Sequence, residues 1–195
     1  ILAYGILLFW LLAVVLGRLF QLDPNQIDLN AILNTPSAVY WLGNDDLGRS
    51  ILARLLHGVE VSLLVALSVT AVTMTVGVLI GLLAGFYGGR VDQVLMQVTD
   101  VFLAFPGILL AIAFAAVLGP GLLNLMIALS LTGWVSYARL TRGQTLSLRD
   151  RQHVLAALSL GASVPRLIGK HILPLLTSVL VVEATYSLAS VMIAE

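Results

Sequence analysis

Long runs without a charged residue constrain this sequence more than any other feature. Residues 61–89 and 101–138 contain no Asp, Glu, Lys or Arg over 29 and 38 positions. A helix needs about 20 apolar residues to cross a bilayer, so the longer run has room for two helices. The turn residues LGPG at 118–121 would divide them. We therefore predict five membrane spans, at 1–17, 61–86, 101–118, 122–138 and 173–194.

Composition supports a membrane protein. Hydrophobic residues make up 59% of the chain and charged residues only 10%, whereas soluble domains carry about 25% charged residues. So few charges cannot cover a soluble surface. The ten basic residues equal the ten acidic ones, so nothing favours a nucleic-acid partner. The absence of cysteine excludes disulfides, thiolate metal sites and a cysteine nucleophile.

The distribution of basic residues predicts the orientation. Loop 139–172 holds six basic residues and one acid, while loop 18–60 holds three basic residues and five acids. By the positive-inside rule, 139–172 is cytoplasmic, 18–60 is external and the N-terminus is cytoplasmic. The chain starts at Ile1 and ends at Glu195 inside an apolar segment. We expect it to be a fragment, with residues 1–195 forming a single transmembrane domain.

Loop 139–172 also has a helical pattern. Ser147 is predicted to cap a helix from Leu148 to Leu160, and Gly161 suits the left-handed position after it. Ser163 would cap a second short helix, which ends near Leu173 and Pro174. The loop is either a docking element for a partner or an amphipathic helix held at lipid headgroups by its arginines.

The same loop resembles a known motif. Ala156 and Ala157, then Gly161, then the residues HILP at 171–174 resemble the "EAA" loop of binding-protein-dependent ABC importer permeases. In that family this loop is the coupling helix that docks on the ATP-hydrolysing subunit. Leu155 occupies the position at which the wider family has an acid.

Three further segments resemble the dipeptide, oligopeptide and nickel branch of this family. They are WLGNDDLGRS at 41–50, AGFYGGRVD at 84–92 and DVFLAFP at 100–106. The resemblance implies an all-α, polytopic transmembrane helical bundle of the type I ABC importer permease kind, with about five of six expected spans present. It also implies a multi-pass protein of the inner membrane.

The resemblance further implies partners and docking residues. The partners would be a second permease subunit, two cytoplasmic ATPase subunits that hold ATP and Mg²⁺, and an external substrate-binding protein. This chain itself would need no cofactor. The segment 147–174 would dock on the ATPase, with Ala157 and Gly161 as main contacts and Arg166 and Lys170 as electrostatic supports. The full set of candidate docking residues is Leu155, Ala156, Ala157, Gly161, Ala162, Ser163, Arg166, His171 and Pro174.

Four charged residues are candidates for other contacts. A charge near the middle of a span is costly, so Glu183 should face the bundle, a partner or water. It either lines a translocation path or is hydrogen-bonded to Tyr186 or Ser187, which lie on the same helix face. In the external loop, the candidate partner contacts are Asp45, Asp46 and Arg49, or these residues belong to a solvated turn.

Two features of the spans carry structural expectations. Gly77, Gly81 and Gly85 repeat every four residues and predict close helix packing, within the chain or against a partner permease. Asp100 is expected to open the third span, where it serves either as a hinge or as an acid that favours the helix dipole. Pro106 is expected to kink that span.

The sequence offers no catalytic constellation. A Walker sequence, a converging Ser/His/Asp set and a metal-ligand spacing among the three histidines are all missing from the 195 residues. We therefore predict that the chain is not an enzyme, and the family resemblance implies a transport subunit that moves di- or oligopeptides. The alternatives are a nickel or other small-solute permease, a non-transporting scaffold that recruits a cytoplasmic partner, and an intramembrane enzyme, for which Glu183 alone is insufficient.

Overall fold

The computed structural model describes residues 23–194, together with Leu12, Val15 and Gly17. These three positions are helical, and the rest of the predicted span 1–17 lies outside the described residues, as does Glu195. The chain divides into two compact units, 1–64 and 65–195, and each is described by itself. Apart from one isolated bridge and a short 3₁₀ turn, the regular structure of the described part is helical. The helices are α1 (Ile51–Tyr87), α2 (Gly89–Leu103), α3 (Gly107–Leu118), α4 (Leu122–Arg149), α5 (Gln152–Ser159) and α6 (Val164–Ala194), with a π-helical turn at Leu167–Ile172 in α6.

Two of these helices are long and apolar enough to cross a membrane. They are α1, with 37 residues, and α6, with 31 residues, and they contain the predicted spans 61–86 and 173–194. The bent pair α2–α3 would make a third span if it is counted as one. The predicted span 122–138 forms the first part of α4, and the charge-free part of that helix ends at Arg139. The helices of the described residues therefore account for two or three of the five predicted spans.

The span predicted over 101–118 is divided between two helices at Pro106, where only a kink was expected. The helices α2 and α3 meet at a bend of 83°, with a break at residues 104–106. Pro106 explains the break, because it has no N–H and because its ring disfavours helical geometry at the residue before it. Asp100 consequently lies in the last turn of α2 and does not open a helix, so the proposed favourable contact with a helix N-terminus is also wrong.

The break between α1 and α2 is set by the glycine pair in the motif AGFYGGRVD. Gly88 has a φ of 64° and a ψ of −159°, a conformation that is essentially restricted to glycine. Because Gly88 interrupts the helix there, α1 ends at Tyr87 and α2 begins at Gly89. The turn predicted at 118–121 is confirmed, since α3 ends at Leu118 and α4 begins at Leu122.

The glycine repeat of α1 packs against α4 within the chain, which confirms the packing interpretation. A Cβ atom added at Gly77 would lie 2.4 Å from the carbonyl oxygen of Trp134, and one at Gly81 would lie 2.5 Å from that of Ala138. No side chain fits at such a distance. The two backbones therefore approach each other more closely than any other residue would allow.

A single apolar cluster joins four helices of the unit 65–195. Its buried members are Val78, Leu82, Tyr137, Leu148, Val154, Leu167, Ile172, Leu176 and Leu180. Four of them come from the predicted cytoplasmic loop and are at most 6% exposed: Leu148, Val154, Leu167 and Ile172. Burying each such side chain contributes about 1.5–3 kcal/mol. The predicted loop is therefore a packed part of this unit.

Candidate functional site

The region predicted as loop 139–172 is helical along most of its length. The helix α4 continues to Arg149, eleven residues beyond the end of the predicted span. Asp150 and Arg151 form a tight connection, and α5 begins at Gln152 and not at Leu148. Ser147 does not cap a helix: it lies inside α4, and its hydroxyl donates to the carbonyl of Gln144 at 2.8 Å. A serine inside a helix commonly satisfies its hydroxyl in this way.

Arginine contacts explain why α4 extends so far. Arg142 forms a two-pronged ion pair with Asp92 of α2, with Nη2 2.7 Å from Oδ2. Arg149 donates from Nη1 to the carbonyl of Gly85 at 2.9 Å, at the C-terminal end of α1. Arg139 pairs with Asp100, but both side chains are more than half exposed, so this pair contributes little. The sequence showed these charges without showing that they would meet.

The connection between α5 and α6 follows the predicted pattern. Gly161 has a φ of 81° and follows α5 in the left-handed conformation, which confirms its predicted position. Ser163 precedes α6, as predicted, but its side chain makes no capping hydrogen bond. The helix α6 continues through Pro174, so the second short helix does not end there. The π-helical turn at Leu167–Ile172 directly precedes this proline, which cannot donate to the carbonyl of Lys170.

The candidate docking residues divide by exposure. Leu155, Ala156, Gly161, Ser163, Arg166 and Pro174 are exposed, while Ala157, Ala162 and His171 are half-buried. Ala157 and Ala162 pack against the apolar cluster. Two exposed apolar residues were missed: Leu158 is 53% exposed and Leu160 is 88% exposed. The sequence offered no signal for this exposure, because Leu158 lies four residues after the buried Val154 and helical spacing places both on one face.

The fold brings two distant histidines together. His153 of α5 and His171 of the π-helical turn have ring centroids 6.4 Å apart. Sequence spacing did not suggest this proximity. Within the described residues there is still no group of three or more His, Cys, Asp or Glu that could hold a metal ion.

A cavity of about 380 Å³ lies in the unit 65–195 among α1, α3, α4 and α6. Glu183 lines it, as do Tyr186 and Ser187. Glu183 makes no hydrogen bond or ion pair with another residue of the described range, so the alternative of a hydrogen bond to Tyr186 or Ser187 is not observed. Glu183 thus lies at a cavity, and its role in a translocation path stays a prediction.

The turn at 43–50, in the unit 1–64, is built around Asp45. Its carboxylate accepts hydrogen bonds from the backbone N–H of Leu47 and Arg49, both at 2.9 Å, and from the side chains of Arg49 and Arg54. Partial burial raises the pKa of Asp45, but these hydrogen bonds outweigh it and lower the pKa from 3.8 to about 2. Asp45 and Arg49 are therefore committed to their own turn, while Asp46 is exposed.

The sequence is similar to a known family of membrane proteins and to several of its members. Residues 77–195 match the family model of the binding-protein-dependent transport system inner membrane component. The chain is 42% identical over 168 residues to the probable D,D-dipeptide transport system permease protein of Escherichia coli K12. The aligned region covers 86% of this chain and 56% of that protein.

Two further relatives show the same pattern. The di/tripeptide transport system permease protein of Pseudomonas aeruginosa UCBPP-PA14 is 40% identical over 96% of this chain and 65% of its own length. The nickel transport system permease protein of Escherichia coli K12 is 41% identical over 88% of this chain and 62% of its own length. The chain thus spans about three fifths of the length of these relatives. It belongs to the family of binding-protein-dependent transport system inner membrane components, in the branch of the peptide and nickel ABC permeases.

Proposed function

We propose that this chain is part of the transmembrane permease subunit of an ATP-driven importer that moves di- or oligopeptides across the inner membrane. Family membership and the similarity to peptide transport permeases support this proposal. The excess of basic residues in 139–172 supports a cytoplasmic position for that segment and for the N-terminus.

The proposal includes the docking of segment 147–174 on a cytoplasmic ATPase. The observation that carries it is an exposed apolar surface on this segment, formed by Leu155, Leu158 and Leu160, which are 45%, 53% and 88% exposed. We call these three residues the leucine surface. Apolar side chains on a polar, arginine-rich segment gain free energy when a partner covers them.

Other residues of the segment are fixed to the helical body. Val154 and Leu167 are buried in the apolar cluster, and Arg142 and Arg149 tie the end of α4 to α2 and α1. A displacement imposed on the leucine surface would therefore move the helices with it, as a rigid lever. In our proposal, closure of the ATPases moves the segment and switches the transport path from inward-open to outward-open.

The remaining assignments follow from the same proposal. ATP and Mg²⁺ are held by two separate ATPase subunits, and this chain performs no hydrolysis. A second permease subunit completes the path, and an external binding protein delivers the substrate. Asp46 is the candidate for contact with an external partner, because Asp45 and Arg49 are engaged within their turn.

A nickel permease is the second candidate. The relative named for nickel transport is 41% identical, which is close to the values for the peptide relatives. A scaffold that recruits a cytoplasmic partner without transport would use the same leucine surface. These alternatives differ in what crosses the membrane.

Reconstitution of the full-length permease with its partner permease, ATPases and binding protein in liposomes tests the proposal. We expect the binding protein to stimulate ATP hydrolysis and to drive uptake of a labelled dipeptide. Uptake of nickel chelate without dipeptide uptake would establish the second candidate. ATPase docking with no solute movement would establish the scaffold.

A further inference from the structure

The cavity in the unit 65–195 has a mixed lining. Its walls are mainly apolar, with side chains such as Ile112 and Leu129, and its polar groups include Glu183, Tyr137 and Ser187. Its volume of about 380 Å³ lies in the range of small-molecule sites. An apolar cavity with a few convergent polar groups is the usual form of a ligand site.

One of the polar groups lacks a partner. Tyr137 is only 1% exposed, and its hydroxyl is fully buried without a hydrogen bond. Ser187 and Glu183 line the same cavity, and the Ser187 hydroxyl lies 3.5 Å from the hydroxyl of Thr70. A buried hydroxyl without a partner costs free energy, about 1–3 kcal/mol. The Tyr137 hydroxyl and the Glu183 carboxylate therefore line the cavity without a hydrogen bond to another described residue.

The charge of the site selects the kind of ligand. Among the described residues, Glu183 is the only acid that lines the cavity, and no Lys or Arg lines it. A carboxylate in an apolar surrounding is stabilised by a cation that also donates hydrogen bonds. An ammonium group has three donors and one positive charge, which match the oxygens of Glu183, Tyr137 and Ser187.

We propose that this cavity is a subsite for the protonated amino group of the transported solute, such as the N-terminus of a short peptide. The inference rests on the proposed function and names the chemistry that the path recognises. Glu183 supplies the charge, and the Tyr137 and Ser187 hydroxyls accept hydrogen bonds. The apolar walls, including Ile112 and Leu129, accommodate the rest of the solute.

Thiol labelling tests this proposal without relying on transport. The 195 residues contain no cysteine, so a single one can be introduced at Ser190, which lines the cavity and is exposed. Thr185→Cys is the matched reference, because Thr185 is exposed on the same helix but does not line the cavity. The full-length permease in its assembled complex is treated with 2-aminoethyl or 2-sulfonatoethyl methanethiosulfonate, and labelling of this chain is followed by mass spectrometry.

We expect the cationic reagent to be favoured at Ser190→Cys over the reference by about tenfold, since unit charges attract strongly in a partly buried site. Adding Glu183→Gln should remove this preference. Dialanine should protect Ser190→Cys from labelling, and N-acetyl-dialanine should not.

Three results would overturn the subsite: a preference that survives Glu183→Gln, equal effects of the two peptides, or no labelling by either reagent, which would mean that the cavity is filled in the complex. The proposed function fails separately, if the wild-type complex shows no uptake stimulated by the binding protein.

Discussion

The turn at 43–50 and the segment at 150–163 both carry motif residues, but the contacts of these residues differ. In the turn, the Asp45 carboxylate receives four hydrogen bonds from groups at Leu47, Arg49 and Arg54. In the segment, Leu155, Leu158 and Leu160 are exposed while the backbone beneath them is packed through Val154. The Asp45 carboxylate finds its hydrogen-bond donors within its own part of the chain, whereas the segment exposes apolar side chains that a partner would cover.

This difference shows which motif residues are available for binding. Both regions resemble the family pattern in sequence, so the motif alone does not separate structural residues from contact residues. The contacts of Asp45 explain its presence without any partner. The exposure of the leucine surface has no such internal explanation.

The largest effect is expected from a substitution that places a charged residue on the leucine surface. Leu158→Asp should lower co-purification of the ATPase by about tenfold or more, because a buried contact residue of an interface often contributes 2 kcal/mol or more. Pull-down of the ATPase with tagged, full-length permease measures this. Gln152→Asp, at an exposed polar position of the same helix, is the control and should bind normally. Normal binding by Leu158→Asp would remove the leucine surface from the interface.

A smaller effect is expected at Gly161, which sets the direction of the segment. Its φ of 81° disfavours a side chain, although an added Cβ would meet nothing within 4 Å. Gly161→Ala should therefore cost about 1 kcal/mol through backbone strain alone, and Gly161→Asn should cost less because asparagine tolerates this conformation. Amide hydrogen exchange over residues 152–163 should rise about fivefold in the alanine variant. Equal exchange in both variants would argue against the strain.

The smallest effect concerns pH and the turn. The pKa of Asp45 is lowered in the folded protein from 3.8 to about 2. The carboxylate therefore contributes stability above pH 3.8, and this contribution is lost as the pH falls through about 2. Cleavage by pepsin within 43–50 should increase as the pH falls from 4 to 2 in the wild type. Asp45→Asn should be cleaved readily throughout, and a wild type as sensitive as this variant at pH 4 would contradict the turn's internal role.

Hydropathy predicted some of the membrane spans correctly and others not. The runs at 61–86 and 173–194 predicted helices correctly, because apolar length is a local property. The run at 101–118 was equally apolar, yet Pro106 divides it into two helices at 83°. Hydropathy does not indicate the direction in which a helix runs, and a proline is compatible with either a kinked helix or two separate helices.

In the candidate site as well, features that depend on neighbouring residues were predicted, and features that depend on distant residues were not. Gly161 and Ser163 were placed correctly around the helix connection, since glycine and cap positions follow local rules. The extension of α4 to Arg149 was missed, because it depends on Asp92 and Gly85, which are more than 50 residues away in the chain. The exposure of Leu158 and Leu160 likewise depends on which face of α5 the apolar cluster covers.

The sequence by itself determined that this chain is a helical membrane protein of the ABC permease family, because apolar runs and motif spacings are written along the chain. Only the tertiary structure decided which charges pair, where the helices bend and how Glu183, Tyr137 and Ser187 come to share a cavity. The physical reason is that burial and ion pairing depend on contacts between residues far apart in sequence, and the packing of the helices sets those contacts.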